Sequence, residues 1–121
     1  MPHFGLNRVL LIGQVASAPR FKITSHKQMP RLWFRLRTRE RYHDPAGAEK
    51  ERQAFHTIVV WGNHARALEA FLREHQTVAV DGRLASHAYE LAGQKRYETE
   101  VVASSVVVLT PRPAEAGADA A

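Results

Sequence analysis

Residues 31 to 42 read Arg-Leu-Trp-Phe-Arg-Leu-Arg-Thr-Arg-Glu-Arg-Tyr, and those residue types suit binding better than bond-making. Split by parity, the odd positions are Arg31, Trp33, Arg35, Arg37, Arg39 and Arg41, and the even ones begin Leu32, Phe34, Leu36 and Thr38. Side chains alternate across a strand, so the run predicts one face of arginine with a tryptophan and one oily face. Five like charges on one face repel each other unless a polyanion lies over them. Guanidinium groups meet phosphates and an indole stacks on a base, so the face fits single-stranded nucleic acid. An edge strand kept from aggregating by its charge carries the same pattern.

Other aromatics extend the first reading. Tyr42, Phe55, Trp61 and Tyr89 are expected at strand ends or on the side away from the core, each with arginine or lysine close by. Stacking there is worth about 1–3 kcal/mol per base. Phe34 and Phe71 fall on faces expected to be core. Chemistry that breaks bonds has no matching pattern: the chain has no phosphate loop, G-x-G-x-x-G, G-x-S-x-G or H-E-x-x-H. His43-Asp44 is the one pair with a metal-hydrolase flavour, but it precedes Pro45 in a loop with no further ligands at the required spacing. No catalytic residue, metal or cofactor is therefore expected. His56 reads as a hydrogen-bonded residue of the core or of a subunit interface.

The elements that must position these groups follow from the pattern. Arg8–Val15 reads as a short buried strand in which Gly13 marks a bulge or a close backbone approach. A brief strand over Phe21–Ile23 and a turn over Thr24–Pro30 lead into the arginine strand. His43–Arg52 reads as a polar loop, and Phe55–Trp61 as a strand apolar on both faces, so that two surfaces need cover. Asn63 is a helix N-cap by type, and Ala65, Leu68, Phe71 and Leu72 carry helical spacing to Glu74. Thr77–Leu84 continues as a strand toward Tyr89, turns at Ala92-Gly93 and returns through Arg96–Val102, and Val106–Leu109 closes the domain. A single helix between the third and fourth strands of a small β-domain is the layout of the OB-fold, a five-stranded Greek-key barrel in the all-β class. Residues 1–109 form this domain, and 110–121, rich in Ala, Pro and Gly, read as a disordered tail.

Composition agrees with a phosphate-bearing partner. The 121 residues carry a formal charge of +5, and thirteen of the seventeen basic residues are arginine. The absence of cysteine excludes a disulfide framework, a thiolate nucleophile and a cysteine zinc site. No apolar run reaches the roughly 18 residues of a membrane span, and Met1-Pro-His-Phe-Gly5 lacks the apolar run of a secretory leader, so a cytoplasmic protein is expected.

Four segments together resemble the bacterial single-stranded DNA-binding protein family: Asn7–Gly13, Phe55–Gly62, Val80–Leu84 and Arg96–Val102. Each is a weak pattern alone, but they occur in order and at family spacing. The resemblance runs from about Gly5 to Leu109. It implies binding of single-stranded DNA with little sequence preference, in replication, recombination or repair, by a homo-oligomer that is usually a tetramer. It puts Tyr42, Phe55, Trp61 and Tyr89 at base-stacking positions and His56 at a subunit contact. It puts Arg8, Lys22 and Arg73 near the DNA path, and Arg96, at the head of the last segment, joins Trp33, Arg35, Arg37, Arg39 and Arg41 as an expected contact. Typical members end in an acidic, hydrophobic tip that recruits repair and replication enzymes. Glu115–Ala121 carries no such tip, so recruitment through the tail is not expected. Ala85, His87 and Ala88 stand where relatives usually have basic residues. A dimeric factor like primosomal replication protein N is the second reading, and a protein-interaction OB domain or a small hydrolase built on His43 and Asp44 are others.

Overall fold

The alternation expected from residue 31 onward is present in the computed structural model, which describes residues 4–110. Leu32, Phe34 and Leu36 are buried, while Arg31, Trp33, Arg35 and Arg37 line the opposite face. The elements in chain order are β1 (Val9–Val15), β2 (Arg20–Ile23), β3 (Pro30–His43), β4 (Glu49–Trp61), α1 (Gly62–Glu69), β5 (Thr77–Leu91) and β6 (Gln94–Val108). The ladder order is β1-β5-β6-β4-β3, and β1 pairs with β3 through Gln14↔Arg37 and Val15↔Leu36, which closes the ring. β2 pairs with an earlier part of β3, from Arg20↔Trp33 to Ile23↔Pro30. β1 and β2 are thus one barrel strand in two pieces, broken over residues 16–19. The result is the expected five-stranded OB-fold with one helix.

The core is the inward set from every strand: Val15, Leu32, Phe34, Leu36, Ile58, Val60, Val78, Val80, Val101, Ala103 and Val106. Ala65, Leu68 and Leu72 join it from the helical segment. Full burial of a Val, Leu, Ile or Phe side chain of this set contributes about 1.5–3 kcal/mol.

Two glycines allow the barrel to close. A Cβ on Gly13 would lie 2.3 Å from the carbonyl oxygen of Arg37, which is the close approach expected there. A Cβ on Gly82 would lie 2.3 Å from the Val102 carbonyl oxygen. Gly82 sits at a bulge: Asp81 faces Ser105, Gly82 faces Ala103, and the Ser104 hydroxyl donates to the Asp81 carbonyl at 3.0 Å. Gly82→Ala should lower stability by about 1–3 kcal/mol, because backbone rather than a flexible side chain must move. A denaturant midpoint equal to that of the unsubstituted protein would show the approach to be looser than described.

Several expectations need correction. The segment 43–52 is not one loop: β4 begins at Glu49, leaving a tight turn in which Asp44 Oδ1 accepts from the Ala48 amide at 2.9 Å. β1 is buried on one side only, with Leu10 and Ile12 about two-thirds exposed at 65% and 66%. The N-cap of α1 is Trp61, in extended conformation and without a side-chain cap bond, not Asn63. The helix ends at Glu69, and Leu72 reaches the core from a following turn held by the Leu72 amide to the Leu68 carbonyl at 2.8 Å. Phe71, assigned to the core by spacing, is 46% exposed, and Leu72, one residue on, takes the inward position. The segments 96–102 and 106–109 belong to the single strand β6, apart from Leu109.

Candidate nucleic-acid interface

Paired strands put directly opposed residues on the same face. The β3–β4 register therefore sets Arg31 beside Trp61, Trp33 beside Val59, Arg35 beside Thr57 and Arg37 beside Phe55. The β2–β3 register adds Arg20 beside Trp33 and Lys22 beside Arg31. On β5 and β6 the pairs Ala85↔Glu100, His87↔Glu98 and Tyr89↔Arg96 line one side of the second long hairpin. That side faces the arginine side, since Arg31 reaches Glu100 at 3.9 Å and Glu98 lines a cleft of about 470 Å³ with Arg20, Trp33, Arg35 and Thr57. The two hairpins thus flank a channel-like cleft, its β2–β4 side carrying the cations and rings and its β5–β6 side Glu98 and Glu100.

The cations and rings are already in contact. Arg31 lies over Trp33 and Trp61, its guanidinium carbon 4.5 Å and 5.6 Å from the two ring centroids, and Arg35 lies 5.6 Å from the Phe55 ring. Such contacts hold a guanidinium flat against an aromatic face. The Tyr89 ring is 6.5 Å from His87.

The arginine row is less repulsive than its sequence implies. Arg39 pairs with Glu51 at 3.6 Å and Arg41 with Glu49 at 3.4 Å, both diagonally across the hairpin, while Arg37 hydrogen-bonds to Gln14 Oε1. The two hairpin ion pairs are exposed and each is worth little, so a phosphate can replace either carboxylate at small cost.

Not every expected residue joins the channel. Tyr42 has the opposite parity from the arginines. It faces Lys50 across the ladder and lies 4.3 Å from the Arg52 guanidinium, on the other side of the projecting hairpin. Arg8 lies on the strand-1 side of the barrel in a bond to Asp81 at 3.0 Å. That hydrogen bond and the Asp81 charge raise its pKa further above the ordinary value. The Arg73 guanidinium donates to the carbonyls of Glu69, Ala70 and Leu72 and so closes the C-terminal end of the helical segment. His56 is half-buried where the β3–β4 hairpin leaves the barrel, 2.9 Å from the Thr38 hydroxyl.

Sequence reasoning missed Arg20, Glu98 and Glu100 as channel residues, and the exposed Tyr97, which lies 5.9 Å from the Lys95 ammonium on the far side of its hairpin. Arg20 was findable: Phe21 packs on the core, so its neighbours Arg20 and Lys22 point outward. Among the described residues no cluster of three His, Asp or Glu side chains is arranged to hold a metal ion.

The model of the single-strand binding protein family matches residues 6–109. The chain is 32% identical over 115 residues to single-stranded DNA-binding protein 1 of Chlorobaculum tepidum, covering 93% of this chain and 70% of that protein. It is 33% identical to single-stranded DNA-binding protein 2 of Streptococcus agalactiae, covering 88% and 79%. Among solved structures, the Plasmodium falciparum SSB complex with ssDNA superposes with a TM-score of 0.82 at 28% identity, covering 91% of this chain and all of that one. The Thermus aquaticus single-stranded DNA binding protein, as a deletion mutant, gives 0.80 at 30% identity, covering 89% and 52%.

Proposed function

The chain belongs to the single-strand binding protein family, and from that premise we propose that it coats and protects single-stranded DNA in replication, recombination or repair, with little preference for sequence. The carrying observation is the channel wall on which Arg31 and Arg35 lie against Trp33, Trp61 and Phe55. Guanidinium groups reach phosphates of any sequence, and every base offers a ring face to stack. Duplex DNA offers paired, stacked bases that leave an aromatic wall nothing to hold. Trp33, Phe55, Trp61 and Tyr89 are the stacking groups of this reading. Lys22, Arg35, Arg37, Arg39, Arg41 and Arg96 are its phosphate contacts, with Arg20 and Arg31 added. Tyr42 would meet DNA only where a strand passes round the β3–β4 hairpin. The role is binding without catalysis, at a cytoplasmic, nucleoid-associated site. The test is a fluorescence titration with oligo-dT and oligo-U: quenching by oligo-dT supports the reading, and no response to either contradicts it.

The reading includes self-association, most simply a homotetramer. The strand from Phe55 to Trp61 does not itself demand a partner, because Val59 is fully buried within one chain. The support lies elsewhere: Leu10, Ile12 and Val107 are exposed and line one apolar hollow of about 530 Å³ on the β1–β5–β6 face. Exposed apolar patches of this kind suit a second copy. His56→Trp should loosen assembly if the hairpin base forms a subunit contact. Light scattering at micromolar concentration checks both points. A monomeric mass for the unsubstituted chain contradicts self-association, and a stable dimer favours the primosomal replication protein N-like alternative.

A further inference from the structure

Arg31 occupies the place where a base would stack. Its guanidinium spans Trp33 and Trp61, and Glu100 faces it, with Arg31 Nη2 3.9 Å from Glu100 Oε2. The pair is more enclosed than the other ion pairs of the channel. The Glu100 side chain is 11% exposed and that of Arg31 26%, against 45% or more for Arg39, Glu51, Arg41 and Glu49. The second Glu100 oxygen is 4.0 Å from His87 Nδ1, and His87 also faces Glu98 at 3.7 Å. A carboxylate in the path of a polyanion is out of place unless it does something there.

We infer that Glu100 is an internal stand-in for a DNA phosphate, a positioning residue that keeps Arg31 laid across the two tryptophans until a strand arrives. The inference rests on the single-stranded DNA reading above. Carboxylate and phosphate each offer a guanidinium two anionic acceptor oxygens, so one can replace the other on Arg31. At 3.9 Å the existing contact is too long for a hydrogen bond, which leaves the guanidinium free to exchange. Exchange releases Arg31 to a phosphate and uncovers ring faces for a base in a single movement. It also leaves a shielded carboxylate without its cation, so every binding event bears that cost.

Glu100→Gln keeps the shape and removes the charge. It should tighten oligo-dT binding about fivefold. Simple relief of repulsion would give a gain too, so the decisive arm is a double-mutant cycle. With Arg31→Met in place, the gain from Glu100→Gln should fall to the small part that repulsion alone supplies, because there is no guanidinium left to hold. Glu90→Gln, on the other side of the same hairpin, should change affinity by less than about twofold. Thermal unfolding confirms that each variant is folded, and Glu100→Thr, a good strand residue, replaces Glu100→Gln if that variant is not. The inference is overturned if Glu100→Gln binds equally or more weakly, or if its gain is undiminished in the Arg31→Met background. If the unsubstituted protein does not bind oligo-dT, the functional reading itself fails, an outcome distinct from either of these.

Discussion

Trp61→Ala should weaken oligo-dT binding by about 1–3 kcal/mol and leave the domain folded. The ring is 39% exposed and lies on the channel side of β4, beside Arg31 and away from the core set. Its loss removes a stacking platform and one of the two rings that hold the Arg31 guanidinium. The backbone at Trp61 caps α1 at φ −117° and ψ 154°, an extended conformation that alanine also adopts, so the helix start survives. Fluorescence of the remaining Trp33 reports binding, and thermal unfolding reports the fold. If the domain melts while binding per folded molecule is unchanged, Trp61 is a structural residue and the channel assignment is wrong.

Phe34→Ala should do the reverse. Phe34 stands one residue after Trp33 on β3, but it is only 2% exposed and lies in the central cluster with Leu32, Leu36, Ile58 and Val60. Truncation removes the buried ring and leaves a cavity that close-packed strands cannot fill, at a cost of about 3–5 kcal/mol. Urea unfolding measures that loss, and binding per folded molecule should be unchanged. A stability loss under about 1 kcal/mol would mean that the site collapses around the cavity, contrary to a tightly closed barrel. Together the two substitutions separate faces of the β3–β4 sheet that alternation alone assigns.

Strict alternation made β3 legible from its sequence. Leu32, Phe34 and Leu36 against Arg31, Trp33, Arg35 and Arg37 admit one assignment of faces. The turn at Ala92-Gly93 was legible too, and both residues have positive φ, 54° and 79°, as a two-residue hairpin turn of this hand requires. The same parity rule puts Tyr42 on the side away from the arginines; grouping it with Phe55 and Trp61, first as a strand-end aromatic near basic residues and then by resemblance, overrode that rule.

The acidic part of the channel was not legible, and the reason is a single residue. Val101 to Val108 has no alternation to read, because apolar residues fill both parities. Counting back from the buried Val106 by twos would put Glu100 on the inner side. The bulge at Ser104 shifts the count by one, so Val101 and Ala103 turn inward and Glu98 and Glu100 turn toward the arginines. A bulge flips every side chain beyond it, and nothing in Ser104-Ser105 announces which residue will be left unpaired. The helix end was missed for a related reason. Leu72 keeps helical spacing from Leu68 and is buried, but the chain reaches it by a turn that Arg73 and Gln76 close through backbone bonds. Those side-chain bonds to the backbone are local but irregular, and they leave no periodic trace.

In the proposed function, the arginine and aromatic channel binds single strands through phosphates and stacked bases. The measurement that tests it most directly is a titration of oligo-dT and of duplex DNA of equal length across about 50 to 200 mM salt, read by tryptophan fluorescence. The expected result is quenching by oligo-dT, tighter binding of oligo-dT than of duplex at every salt concentration, and a log–log salt slope that steepens by about 0.7 for each phosphate neutralised. Equal affinity for duplex, or binding of oligo-dT with a flat salt response and unquenched fluorescence, would contradict it.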